Sequence, residues 1–74
     1  MSNNIRTLRN REGWSQAELG QKLGGLHYNT IKNWETGVND PKASQISDMA
    51  DLFGCSVAQV MGLEPVNTEP KTAA

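Results

Sequence analysis

Two consecutive glycines, Gly24 and Gly25, interrupt a stretch that carries helix signals on both sides. Glycine enters positive φ without steric cost, so the pair stops whatever helix precedes it and turns the chain. Before the glycines, Ser15 and Glu18 have the spacing of a capping box: the hydroxyl accepts from the Glu18 amide and the carboxylate reaches back. Trp14 ahead of the cap and Leu19 behind it stand in hydrophobic-staple positions. Leu19 and Leu23 repeat at i, i+4 as one apolar stripe. After the glycines, Ile31 and Trp34 recur at i, i+3, and Gly37 is placed to end a second helix. The outward face of that second helix carries Tyr28, Asn29, Lys32 and Asn33. Two short helices joined by a glycine turn, apolar inside and hydrogen-bonding outside, make a helix-turn-helix.

Gly20 adds a finer constraint. It stands where the two helices cross closely, and a larger side chain there pushes them apart. The run S-Q-A-E-L-G-Q-K-L-G followed by I-x-x-W-E-x-G resembles the phage Cro and repressor family of helix-turn-helix proteins, the lambda repressor-like fold. Gln16, Leu19, Leu23, Gly24, Ile31, Glu35 and Gly37 carry the match, with Gly20 in place of the family's alanine. Six residues separate Gly24 from Ile31 where the family has five, so the turn is longer by one glycine.

At 74 residues the chain has room for one domain, of a size whose core supplies only about 3–5 kcal/mol. There is no apolar run of ~18 residues to span a membrane, and the N-terminal MSNNIRTLRNREG has no apolar signal core. The single Cys55 has no partner for an internal disulfide, which fits a reducing cytoplasm; it is expected as a small buried apolar residue. The net charge of −1 is unhelpful for nucleic acid as a total, but its distribution is uneven. Residues 1–35 hold five cations against three acids, and residues 36–74 two against five, so the positive excess lies with the motif.

In chain order, a first helix is expected from about Asn4 to Glu12, with Ile5 and Leu8 inward, Asn3 or Ser2 as cap and Gly13 at its end. Arg9 lies at the edge of its inward face, where a charge needs a partner. Thr36 to Asp40 reads as a turn. A fourth helix over about Lys42 to Phe53 has Ala43, Ile46, Met49, Ala50 and Phe53 as its stripe, with Ser44, Ser47, Asp48 and Asp51 toward water. Ser56 and Gln59 form a second capping box for a short fifth helix, Val57 to Met61, ending at Gly62. The fold class is therefore all-α, a five-helix bundle over residues 1–63, with 64–74 a disordered tail. The expected core is Ile5, Leu8, Leu19, Leu23, Leu26, Ile31, Trp34, Ile46, Met49, Ala50, Phe53, Val57 and Val60. Trp34 fills space there and has no ligand role.

One histidine and one cysteine, with no HExxH, CxxC or P-loop, give no basis for an enzyme, a metal site, a cofactor or a small-molecule ligand. Two binding functions stay open: a DNA-binding regulator, and an antitoxin-like module that uses the same fold to hold a protein partner. The third helix favours DNA, since it shows amides, a phenol and a lysine outward, not Leu, Met or Phe. The resemblance implies a small Cro-like repressor on a double-stranded, palindromic operator, acting as a homodimer weak in solution and completed on DNA. It implies base readout by Tyr28, Asn29, Lys32 and Asn33, and backbone contacts by Gln16, His27, Thr30, Thr36, Asn39 and Lys42. It also implies a partly buried ion pair between Arg9 and Glu35. The dimer contact is expected beyond the fifth helix, from Met61, Leu63 and Val66, with Val60 kept for the core.

Overall fold

Each helix begins where a side chain can take up its first amide protons. The structure, a computed structural model, describes residues 3–66, and there the chain forms α1 (Ile5–Glu12), α2 (Gln16–Lys22), α3 (Tyr28–Thr36), α4 (Ala43–Phe53) and α5 (Val57–Met61), with no strand among the described residues. Asn3 Oδ1 accepts from the Ile5 amide at 3.1 Å to open α1; the alternative cap, Ser2, lies outside the described residues. The capping box of α2 closes in both directions at 3.0 Å, Ser15 with Glu18. That of α5 does the same at 3.0 and 2.9 Å, Ser56 with Gln59. At α4 the cap residue is Lys42, whose side chain has no acceptor, and Gln45 Oε1 alone takes the Lys42 amide at 2.7 Å.

Helix ends are then tied to distant segments. Arg11 Nη2 donates to the Phe53 carbonyl at 2.6 Å, joining the end of α1 to the end of α4. Asn3 Nδ2 donates to the Trp34 carbonyl at 2.9 Å, and Asn4 Nδ2 to the carbonyls of Gln59 and Glu64 at 2.8 and 3.0 Å. Carbonyls in the last turn of a helix lack an intrahelical donor, so side-chain amides and guanidinium groups arriving there satisfy groups that would otherwise be stranded.

The core consists of Ile5, Leu8, Leu19, Ile31, Trp34, Met49, Ala50, Phe53 and Val60. Trp14, Leu23, Leu26, Ile46, Leu52, Cys55 and Val66 pack around it, half-buried. Three expectations need correction. Val57 is 43% exposed and outside the core, because a side chain at the first position of a helix leans back toward the N-terminus, away from the turn that buries Val60. Cys55 is half-buried where full burial was expected, since it follows Gly54 at the rim. Leu52, absent from the expected core, covers its edge.

Trp14 reaches further than a local staple. Its ring stacks on Phe53 at 5.7 Å between centroids, and the Lys22 ammonium lies 4.7 Å above it. The chain after α5 also folds back: Ser56 Oγ donates to Glu64 Oε1 at 3.1 Å, Gln59 Nε2 donates to the Pro65 carbonyl at 3.1 Å, and Val66 packs on the core. Residues 64–66, placed in the tail by sequence, thus lie against the domain, while 67–74 fall outside the described residues.

Candidate nucleic-acid interface

The interface is built on the crossing of α2 and α3, which pack on each other more extensively than any other pair of helices. Gly20 is fully buried in that crossing, and its carbonyl accepts from Leu23, Gly25 and Leu26 at 3.2, 3.1 and 2.8 Å. A Cβ at Gly20 would collide with the Leu26 carbonyl oxygen and lie 3.1 Å from its carbon. The close approach is therefore to the turn leading into α3, not to α3 itself. Gly24 and Gly25 both adopt positive φ, +96° and +87°, which brings the longer turn back onto Gly20.

The turn delivers His27 to the start of α3. Its Nδ1 accepts from the Asn29 amide at 3.1 Å, and its ring lies 4.5 Å from the Tyr28 ring. A neutral imidazole accepting at Nδ1 carries its proton on Nε2, which remains as a donor toward solvent. Ile31 and Trp34 then bury the inner face of α3, leaving Tyr28, Asn29, Lys32 and Thr36 exposed on the other. Thr30 and Asn33 are half-buried at its flank. Asn33 is more recessed than its neighbours because the chain after Gly37 returns over it: the Val38 and Asn39 amides donate to its carbonyl at 2.9 and 3.3 Å. The Thr36 hydroxyl donates to the Lys32 carbonyl at 3.0 Å, so its proton is already engaged within the helix. Asn39 and Lys42 are exposed in the connection to α4.

Behind this face lies an ion pair. Arg9 donates to Glu35 through Nε at 2.7 Å and Nη2 at 3.1 Å, and its Nη1 donates to the Trp14 carbonyl at 2.9 Å. Gln16 Nε2 adds a bond to Glu35 Oε1 at 3.2 Å. The Arg9 and Glu35 side chains are only 12% and 5% exposed, so the fork geometry and the extra donor are what let the charges be buried. Gln16, read from sequence as a phosphate contact, thus turns its side chain inward, with one amide proton left over.

Above the pair opens a concavity of about 400 Å³ lined by Arg6, Arg9, Gln16, Tyr28, Lys32, Glu35 and Thr36. It gathers four residues expected at the interface, Gln16, Tyr28, Lys32 and Thr36, together with the ion pair. His27, Asn29, Thr30, Asn33, Asn39 and Lys42 lie outside it. Sequence reading passed over Arg6. The signal was available: Arg6 precedes Arg9 by three residues, so on a helix it shares the face that Arg9 turns toward α3.

No helix among the described residues is long and apolar enough to cross a membrane, and none of their His, Cys, Asp and Glu side chains group in threes to hold a metal ion. Comparison with curated proteins and with solved structures gives no match. A family model described as helix-turn-helix matches residues 5–60, which takes in all of α1 to α4 and α5 as far as Val60. The chain belongs to the helix-turn-helix family and is a DNA-binding regulator.

Proposed function

We propose that this regulator is a small Cro-like repressor that lays α3 in the major groove of a palindromic operator and binds it as a dimer. The observation that carries the reading is the outer face of α3. Tyr28, Asn29 and Lys32 are exposed and Asn33 stands half-buried beside them, with no acid and no aliphatic side chain among the four. An asparagine amide can bond N6 and N7 of adenine together, lysine can reach guanine O6 and N7 or a phosphate, and the Tyr28 ring can lie on a thymine methyl. His27 Nε2, the spare amide proton and backbone of Gln16, Thr30, Thr36, Asn39 and Lys42 flank this face and suit backbone contacts, which set register without reading sequence.

Repression follows by occupancy: a domain seated in the groove over a promoter excludes polymerase. One α3 reads too few base pairs to be specific in a genome, so two copies on half-sites about 34–36 Å apart are needed. Met61 and Leu63, 39% and 63% exposed, give the apolar surface for pairing, with Val66 beside them. So small a patch suits a dimer that is weak in solution and completed on DNA.

Selection of bound sequences from a random duplex library tests the reading. A palindromic consensus is expected, and Asn29→Ala is expected to cost about 1–3 kcal/mol on it while relaxing choice at one base pair. Enrichment of no sequence, together with no mobility shift on any duplex at low salt, would turn the assignment toward a protein partner.

A further inference from the structure

We propose that Arg6 and Lys32 form a two-cation seat for one backbone phosphodiester, so that α1 as well as α2 and α3 holds the duplex. The inference rests on the DNA-reading role of α3 and assigns Lys32 to phosphate instead of guanine.

The cations of the domain divide into two groups. Arg9 is committed to Glu35 and the Trp14 carbonyl, Arg11 bonds Glu12 and the Phe53 carbonyl, and the Lys22 ammonium sits over the Trp14 ring. Arg6 and Lys32 are exposed, and the side chain of neither makes a hydrogen bond or ion pair among the described residues. Yet both line the same concavity, one from α1 and one from α3. The only acid lining it is Glu35, and that carboxylate already accepts three hydrogen bonds, two of them from Arg9. The ion pair is thus neutral in sum, and Arg6 and Lys32 give the concavity a charge of about two with no counter-ion from the protein.

Two like charges converging on an open, unfilled space repel unless an anion joins them. Tyr28 and Gln16 line the same space with a phenol and an amide proton, both able to donate. The chemistry selects an oxyanion with several acceptor atoms. Its position selects which one: the concavity opens beside the reading stripe of α3, where the sugar–phosphate backbone runs along the edge of the groove. A guanine contact from Lys32 would carry the ammonium away from Arg6 and leave that guanidinium with nothing to hold.

The test uses the full chain, its selected operator and an unrelated duplex, with affinity followed from 50 to 200 mM salt. Arg6→Gln and Lys32→Gln are each expected to weaken both duplexes alike and to flatten the salt dependence. At a slope of about 0.9 per neutralised phosphate, wild type should lose about 3.5-fold more affinity than either variant across that range. Arg6→Lys should keep the wild-type slope. Melting curves should match wild type, since neither side chain bonds anything in the domain. Duplexes carrying a single neutral methylphosphonate locate the seat: one position should weaken wild type and have no further effect on Arg6→Gln/Lys32→Gln. If Lys32→Gln relaxes base choice at unchanged slope, or Arg6→Gln changes nothing, the seat is refuted while the DNA reading stands. If wild type shifts neither duplex, the DNA reading itself is lost and the seat with it.

Discussion

Adding one methyl group at Gly20 sets two opposed effects against each other. Gly20 lies inside α2, where alanine is intrinsically better than glycine by roughly 0.5–1 kcal/mol. On that ground alone Gly20→Ala would stabilise. Against it stands the Leu26 carbonyl, which the new Cβ would strike. That peptide cannot swing aside freely, because the Leu26 amide is bonded to the Gly20 carbonyl at 2.8 Å and the Gly25 amide to the same oxygen at 3.1 Å. Overpacking against a constrained neighbour costs about 1–3 kcal/mol, and a stretched turn hydrogen bond forfeits about 1 kcal/mol more. The strain should win, for a net loss of about 1–3 kcal/mol. In a domain of this size each kcal/mol moves Tm by about 4–8 °C, so thermal and urea unfolding followed by circular dichroism can resolve it. The collision comes from the turn, so removing one turn residue should relieve it. Gly20→Ala combined with deletion of Gly25 should recover most of the lost stability. A Gly20→Ala protein as stable as wild type, or more so, would show that the turn yields at no cost and that the reasoning is wrong.

Glu35→Ala should destabilise by about 3–5 kcal/mol in urea unfolding, because it strands the nearly buried Arg9 guanidinium and frees Gln16. The paired change Arg9→Met with Glu35→Leu should fold with stability within about 1 kcal/mol of wild type, yet bind operator more weakly; equal binding would mean that the pair does not help to fix the interface. Leu63→Lys, at a position 63% exposed, should leave melting unchanged while reducing affinity for a full palindrome more than for an isolated half-site, measured by mobility shift.

What was legible in the sequence is what sequence distance makes local. The boxes Ser15–Glu18 and Ser56–Gln59 join residues three apart, so reading them requires no knowledge of the fold, and both helices start where those residues place them. The stripes of α3 and α4 give the core for the same reason: helical period alone puts Ile31 with Trp34 and Met49 with Phe53. Val57 failed that logic because a five-residue helix has too few turns for period to decide burial. The ties made by Asn3, Asn4 and Arg11 were not legible at all. Each spans more than 30 residues and ends on a backbone carbonyl, a group every residue owns, so no side-chain pattern marks the partner. At the candidate site the outward residues of α3 were readable from period, whereas the recess of Asn33 depends on how the chain returns after Gly37.

The Arg9–Glu35 pair explains why an interface on such short helices can be definite in shape. Packing alone holds α2 to α3 through Leu19, Ile31 and the Gly20 contact, and apolar contacts are non-directional. The ion pair adds direction. From one guanidinium on α1, bonds run to the Glu35 carboxylate on α3 and to the Trp14 carbonyl just before α2; the same carboxylate then takes the amide of Gln16, the first residue of α2. Three segments are thereby fixed about a single point directly beneath the concavity. Burying these charges is costly and need not raise net stability. What it secures is position: Arg6 one turn back on α1, Lys32 almost one turn back on α3 and Gln16 at the head of α2 face one space before any ligand arrives. Ordering such side chains at the moment of binding would cost roughly 0.5–1.5 kcal/mol for each one immobilised. A face prepared in the free protein avoids part of that loss, and a domain with few free cations has little surplus attraction from which to make it up.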